Sequence, residues 1–501
     1  MTALFRTDEI RALEAAHAAK HPKTSLMQRA GTAAAKFAAT LVEQKKGAAI
    51  LVLAGPGNNG GDAWVAAAAL KKSGQRVTVV ALGEQKISDP AAKAGYAAFK
   101  LSKDRVRKEI PADEHFDLII DGIFGIGLTR APAGAFANAI AGANAREAPI
   151  LSLDVPSGLS SDTGAALGEA IVATHTLTFL GLKPGLFTAA GKDHAGEVHL
   201  ETLGVATPAT PGALLIAANM RELIPQRLHQ SHKGSYGNVG VIGGAEGMVG
   251  AAVLAARAAL YMGPGKVTLG IAAKEPPAYD PLNPELMVKR ADDVLADESI
   301  SALAVGMGLG TDKSAPRLVN AALARPLPTV LDADALNVMA SNPSIGAAWQ
   351  AKMVGTPLPS LSLVITPHPG EASRLLSVTV QHLQADRVTS AIALARKFNA
   401  VAVLKGSGTV IAAPDGRYFV NSTGNPGMAS GGMGDALSGM IASFLAQGLP
   451  ALDAACLSVF LHGLAADECV AHGMAPHGLT ASEVMFEART LLNAGLEHHD
   501  H

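Results

Sequence analysis

The chain has 501 residues, more than one hydrophobic core usually organises, so its length predicts two domains of roughly 200 to 280 residues. Apolar residues make up 49%, charged residues 17% and aromatics only 4%, a composition suited to helices packed closely on sheets. A formal net charge of -2 without a long Lys/Arg run excludes a nucleic-acid backbone as partner, and no run of about 18 uncharged apolar residues suggests a membrane span.

In chain order, the first forty-odd residues read as two helices, the second starting near Thr24/Ser25. The first twenty carry charges throughout and do not read as a targeting segment. Strands follow at 48–55, 76–82, 116–125 and 149–158, with a helix predicted over 62–72. This alternation predicts a doubly wound α/β domain. The aperiodic Pro/Thr/Gly stretch 205–214 reads as a linker, dividing the chain into domains 1–212 and 220–495. The second domain is again α/β and doubly wound, with strands at 238–244, 266–272, 302–310, 328–334, 363–370 and 400–408. Cys456 and Cys469 lie in apolar helix-like stretches, the usage of a reducing compartment, so a cytoplasmic location is expected. The closing EHHDH (497–501) is too short and polar to fold and is assigned no metal role.

Between the first predicted strand and helix stands Gly55-Pro-Gly-Asn-Asn-Gly-Gly-Asp62, a literal G-x-G-x-x-G. One reading is a dinucleotide fold, with Glu84 past the second strand as a ribose-binding acid. Against it, Asp62 is expected in the first helical turn, where its charge would oppose a pyrophosphate, and Asn58-Asn59 put amide side chains where bare backbone is wanted. Two further strand ends carry Asp121, with the glycine loop after it, and Asp154-Val-Pro-Ser-Gly158. Parallel strands bring such ends to one edge. Oxygen ligands from Asn59, Asp121 and Ser157 would suit an alkali cation better than zinc, leaving Asp154 free for proton transfer.

GPGNNGGD, DGIFGIG and LDVPSG, in this order, resemble the NAD(P)H-hydrate epimerases over about residues 1–210. The resemblance implies a Rossmann-like epimerase fold. It implies that Asn58, Asn59, Gly60, Gly61 and Asp62, with Gly125, Ile126, Gly127, Leu128, Thr129, Arg130 and Ala131, cradle a hydrated nucleotide. Potassium would then sit on Asn59, Asp121 and Ser157, and Asp154 would touch substrate as the acid/base. Ala63 stands where the family often has glycine.

The densest motif is Thr423-Gly-Asn-Pro-Gly-Met-Ala-Ser-Gly-Gly-Met-Gly-Asp435 before an apolar helix. Such glycines free backbone N–H groups to meet one anion, aided by the helix dipole. Asp435 in the first turn is expected to be stabilised as a carboxylate and to accept a proton from an attacking hydroxyl. Lys405-Gly-Ser-Gly-Thr409 offers a phosphate a cation, bare backbone and hydroxyls. His368, between two prolines, favours substrate contact over metal ligation, with a structural histidine as the alternative.

The glycine motif resembles the ribokinase-like superfamily. HKGSYGNVGVIGG, GMGLG, LDADAL, TPHPGE and VLKGSGTVI together resemble its ADP-dependent NAD(P)H-hydrate dehydratase branch over about residues 220–490. Met307 stands where that branch often has proline. The resemblance implies that Gly308, His368, Pro369, Gly370, Glu371 and Asp435 contact the hydrate. Lys405, Gly406, Ser407, Gly408, Thr409 and Gly434 would bind the adenine nucleotide. ADP is the implied co-substrate and Mg2+ the implied cation of this half, and the whole chain is expected to be a homo-oligomer. The competing readings are a ribokinase-like small-molecule kinase fused to a non-catalytic Rossmann-like module, and a dinucleotide oxidoreductase.

Overall fold

The computed structural model describes residues 2–43, 45–85, 88–100, 106–353, 363–474 and 476–496. The tail 497–501 lies outside them. Packing contacts divide the chain into two units, Ala3–Gly212 and Ala213 onward.

The first unit holds a seven-stranded parallel sheet in the spatial order Val106–Arg107, Arg76–Ala81, Ala49–Ala54, Leu118–Gly122, Ile150–Leu153, His175–Phe179, Glu197–Glu201. All six residues of Ala49–Ala54 are buried, as a central strand covered on both faces requires. That is why it reads as an unbroken apolar run. The helix Leu26–Leu41 begins where Ser25 Oγ accepts from the Gln28 N–H, at 3.0 Å. Its small residues Ala30, Gly31, Ala34, Ala35 and Ala38 are buried, and a Cβ at Gly31 would lie 2.4 Å from Val65. Alanine and glycine therefore serve close approach of this helix to Asn58–Lys72. Val106–Arg107 and Glu197–Glu201 escape the sequence reading as short, polar edge strands, and the internal His175–Phe179 escapes it because threonine and histidine interrupt its apolar run.

One correction concerns the glycine motif. The helix after the first strand runs Asn58–Lys72, four residues earlier than the expected start at Asp62. The motif is thus the first helical turn, not a loop before it, and Asp62 is the fifth residue. Glycine has poor helix propensity, but here tertiary packing decides: a Cβ at Gly60 would sit 1.8 Å from the Gly55 carbonyl oxygen.

The second unit is built on parallel strands in the order Val401–Leu404, Leu363–Ile365, Thr329–Leu331, Ala302–Val305, Asn238–Gly243, Lys266–Ile271, Met287–Arg290. Val410–Ala412 and Tyr418–Val420 extend it antiparallel from Val401–Leu404, and Gly212–Leu214 joins beyond them. The final residues of the expected linker are therefore sheet. Ala451–Ala471 is the one described helix long and apolar enough to cross a membrane, yet it is mostly buried, packing against Met433–Ala446 and Ala481–Asn493. Its hydrophobicity serves a core.

Candidate active sites

In the first unit, the carboxyl ends of the strands border a cavity of about 690 Å3. Its lining includes Asn58, Asn59, Asp62, Gly125, Ile126, Gly127, Leu128 and Asp154, but also Arg11 and Glu14 from the first helix. Gly60 and Gly61 are buried behind it rather than lining it, and Thr129, Arg130 and Ala131 are exposed outside its wall. Glu84, the ribose-binding candidate, is exposed and does not line it either.

Asp154 follows Ile150–Leu153 with φ of 66°, a left-handed conformation that side chains rarely adopt. Such strain persists only where contacts hold it, and four do. Its N–H donates to Leu177 O at 2.8 Å, Oδ2 accepts from the Ile126 N–H at 3.3 Å, and Oδ1 accepts from Lys183 Nζ at 2.5 Å and the Phe179 N–H at 3.5 Å. Lys183 is fully buried and spends its other two donors on Thr178 Oγ1 at 2.8 Å and Phe179 O at 2.7 Å. Sequence reasoning missed Lys183. Its one signal was a lysine amid the apolar stretch TLTFLGLKPG, where an unpaired charge would be costly.

Two other carboxyl groups face the same space. Burial first and Asp154 second push Asp62 well above the usual aspartate range, and the same two causes raise Glu14. The cavity thus combines the ion pair Asp154–Lys183 with two carboxyl groups whose pKa values are raised.

Beside it, Asp121 is buried and accepts from Ser157 Oγ at 2.6 Å, the Ser157 N–H at 2.8 Å, Ser152 Oγ at 2.9 Å and the Ile123 N–H at 3.2 Å. Burial raises its pKa while these donors oppose the rise. Asn59 gives its amide N–H groups to Phe124 O at 2.9 Å and Leu153 O at 3.1 Å, yet its Oδ1 is buried without a partner. Phe124 O accepts from both Asn59 Nδ2 and Ser157 Oγ, so Asn59, Ser157 and the Asp121 that Ser157 bonds lie together, and the donor chemistry of this set fits a weakly hydrated cation.

In the second unit, Lys405, His368 and Asp332 stand at the carboxyl ends of neighbouring strands. Lys405 Nζ donates to Asp332 Oδ1 at 2.6 Å, and Ser438 Oγ to Asp332 Oδ2 at 2.8 Å. A side chain at Gly434 would come within 3.0 Å of Lys405 Nζ, so the glycine-led helix Met433–Ala446 starts directly over this pair. Gly308, with φ of 61°, passes so close to Met248 O that a Cβ would be 2.6 Å away.

The glycine run is only partly a cradle. Asn425 and Asp467 take up its first half, Asn425 Oδ1 accepting from Gly427 N–H and Asp467 Oδ2 from Gly424 N–H at 2.7 Å. The second half differs. The amides of Gly431 through Asp435 find no acceptor among the described residues, and the helix begins with Ala436 N–H donating to Gly432 O. Five backbone donors around the start of this helix are therefore left for a partner from outside the chain.

A second correction concerns Asp435 itself. The expected stabilised carboxylate is instead pushed up to about 7, chiefly by burial, then by Asp332, with Lys405 opposing. Position in a first helical turn is outweighed by burial first and then by the acidic neighbours Asp332, Asp334 and Glu371.

His368 has a structural duty as well as an exposed face. Its Nδ1 accepts from the Gly370 N–H at 2.9 Å, capping Pro369–Leu376, while Glu371 Oε2 accepts from the His368 N–H at 2.8 Å. Burial lowers the His368 pKa and raises that of Glu371. Asp332 and Arg387 were not singled out from the sequence. Arg387 is buried beneath the 405–409 loop, donating to Leu404 O at 3.1 Å and Lys405 O at 3.2 Å, and burial pushes it down to about 10.

Residues 23–185 match the family described as YjeF-related protein N-terminus, and residues 239–486 the family described as NAD(P)H-hydrate dehydratase. A bifunctional NAD(P)H-hydrate repair enzyme from Coxiella burnetii is 37% identical over 98% of this chain and 100% of its own. The chain belongs to the bifunctional NAD(P)H-hydrate repair enzyme family. An Escherichia coli relative of the same name is 36% identical over 90% of this chain and 86% of its own. A solved ADP/ATP-dependent NAD(P)H-hydrate dehydratase from Bacillus subtilis, co-crystallised with ATP and Mg2+, is 30% identical with a TM-score of 0.47, covering 56% of this chain and 98% of that one. The two halves are thus the epimerase and dehydratase units of a repair enzyme, as the motifs implied.

Proposed function

We propose that the first unit interconverts the R and S epimers of hydrated NAD(P)H at Asp154, and that the second dehydrates the S epimer with ADP at Asp435. The observation that carries this reading is Asp435: a carboxyl titrating near neutrality beside five acceptor-free amides. That combination supplies a base and an anion site in one helical turn.

In the dehydratase, Asp435 takes the proton of the C6 hydroxyl, whose oxygen attacks the terminal phosphoryl of ADP as AMP departs. The amides of 431–435 hold the transferred group, and Lys405, fixed by Asp332, gives the phosphates a positive charge. The ring nitrogen's lone pair then expels phosphate, and loss of the C5 proton restores NAD(P)H. Gly308, His368, Pro369, Gly370 and Glu371 border the hydrate, while Gly406, Ser407, Gly408, Thr409 and Gly434 approach the nucleotide. The acids Asp435 and Glu371, together with nucleotide oxygens, fit Mg2+, which when bound would offset charge on the phosphates.

In the epimerase, Asp154 takes the C6 hydroxyl proton as the C6–N1 bond breaks to an aldehyde and N1 is protonated. Closure of N1 on the other carbonyl face, with the proton returned to oxygen, inverts C6; Lys183 keeps the carboxylate oriented. Asn59, Asp121 and Ser157 would hold K+, which supplies a fixed positive charge near the substrate. Asn58, Asp62, Gly125, Ile126, Gly127 and Leu128 shape the pocket, and exposed Thr129, Arg130 and Ala131 lie where the nucleotide's outer end leaves it. One unit feeds the other, because only one epimer is dehydrated.

Exposed Tyr279 lines an apolar groove of about 440 Å3, and Leu282 and Met287, next in the chain to its lining residues Pro281 and Val288, are exposed as well; this supports homo-oligomerisation, checked by light scattering. Two buried free thiols support a cytoplasmic setting. The reading is tested by incubating the chain with both hydrate epimers and either ADP or ATP. Recovery of NADH absorbance from both is expected; a stable phosphoester with no NADH would favour a small-molecule kinase instead.

A further inference from the structure

His175 opens the strand His175–Phe179, and Glu197 and His199 lie two apart on the neighbouring edge strand Glu197–Glu201. The strands are parallel with His175 opposite Glu197 and Leu177 opposite His199. A two-residue side-chain period therefore sends all three side chains to one face of the sheet. There His175 Nδ1 stands 3.3 Å from His199 Nε2, Glu197 Oε1 is 3.3 Å from His199 Nε2, and Glu197 Oε2 is 3.5 Å from His175 Nδ1.

These separations have a chemical meaning. A tetrahedral zinc ion with bonds of about 2.0–2.1 Å spaces its ligand atoms about 3.3–3.4 Å apart. The two facing imidazole nitrogens can share one proton as a hydrogen bond, and a cation that replaces that proton would find both lone pairs and the Glu197 carboxylate already at ligand spacing. The ring of Phe37, on the helix Leu26–Leu41, lies 4.5 Å from that of His199 and 6.0 Å edge-on from that of His175, restricting both. Glu197 is 67% exposed, leaving an open side for water as the fourth ligand.

We infer that His175, Glu197 and His199 form a zinc site that ties the last two strands of the epimerase sheet together, apart from the cavity around Asp154. None of the three lines that cavity.

The test is isothermal titration of the chelator-stripped full chain with ZnCl2, beside a His175→Ala/His199→Ala variant. Both proteins carry the same 497–501 tail, so zinc taken there cancels. The wild type should bind one zinc more than the variant, and zinc should raise its Tm by an amount the variant lacks. Epimerisation should be unchanged, and Glu197→Gln, at an exposed position, should weaken the extra site. Should the double variant unfold, His199→Gln alone carries the same comparison. Equal zinc counts in wild type and variant, or no zinc bound by the wild type, would overturn the assignment.

Discussion

Lys405 and Asp332 form a 2.6 Å ion pair beneath the start of the glycine-led helix, with the carboxylate 1% and the lysine 19% exposed. In the proposed reading, Lys405 supplies the positive charge that meets the nucleotide phosphates. Lys405→Met should therefore weaken nucleotide binding and leave Asp332 buried without its cation. Removing one partner of a buried pair costs about 3 kcal/mol or more. Chemical denaturation should show that loss, and a variant as stable as wild type would mean that Asp332 is relieved some other way.

Asp435 gives a signed pH dependence. Its folded pKa of about 7 lies above the ordinary aspartate value, so the folded chain holds a proton that the unfolded chain releases. The stability this confers is present below pH about 4 and is lost as pH rises through about 7. Asp435→Asn removes that loss. It should raise Tm at pH 8 by several degrees, worth about 2 kcal/mol after allowing for solvent access, and change little at pH 4. In the wild type, kcat/KM for dehydration should rise between pH 6 and 8 with the same inflection, about pH 7.

The orphaned Asn59 Oδ1 predicts a cation response confined to the first unit. Replacing choline chloride with KCl should raise the Tm of the epimerase transition, and Asn59→Ala should abolish the shift while lowering epimerase activity about tenfold or more. Differential scanning calorimetry in the two salts checks this, and an equal shift in both proteins would remove Asn59 from the site.

Much of this arrangement is legible in the residues because parallel α/β sheets place chemistry at strand ends, and Asp121, Asp154, His368 and Lys405 each follow a readable apolar run. What escapes is whatever depends on distant partners. Lys183 stands 29 positions from Asp154 and meets it only after the further strand His175–Phe179 has formed. The raised pKa of Asp435 depends on burial by the folded chain and then on Asp332, about a hundred residues away in sequence, so local helix logic points the wrong way. The early start of Asn58–Lys72 depends on Gly60 touching Gly55 across the turn, a packing demand that a propensity scale assigns to a loop. Short edge strands such as Met287–Arg290 escape because they bury too little to show a period.

The most direct measurement follows NADH recovery from each purified hydrate epimer with ADP, in wild type, Asp154→Ala and Asp435→Asn, after subtracting spontaneous epimerisation. Wild type should recover both epimers, Asp154→Ala only the S form, and Asp435→Asn neither, while still binding ADP. Recovery by Asp435→Asn at the wild-type rate would contradict the account at its centre.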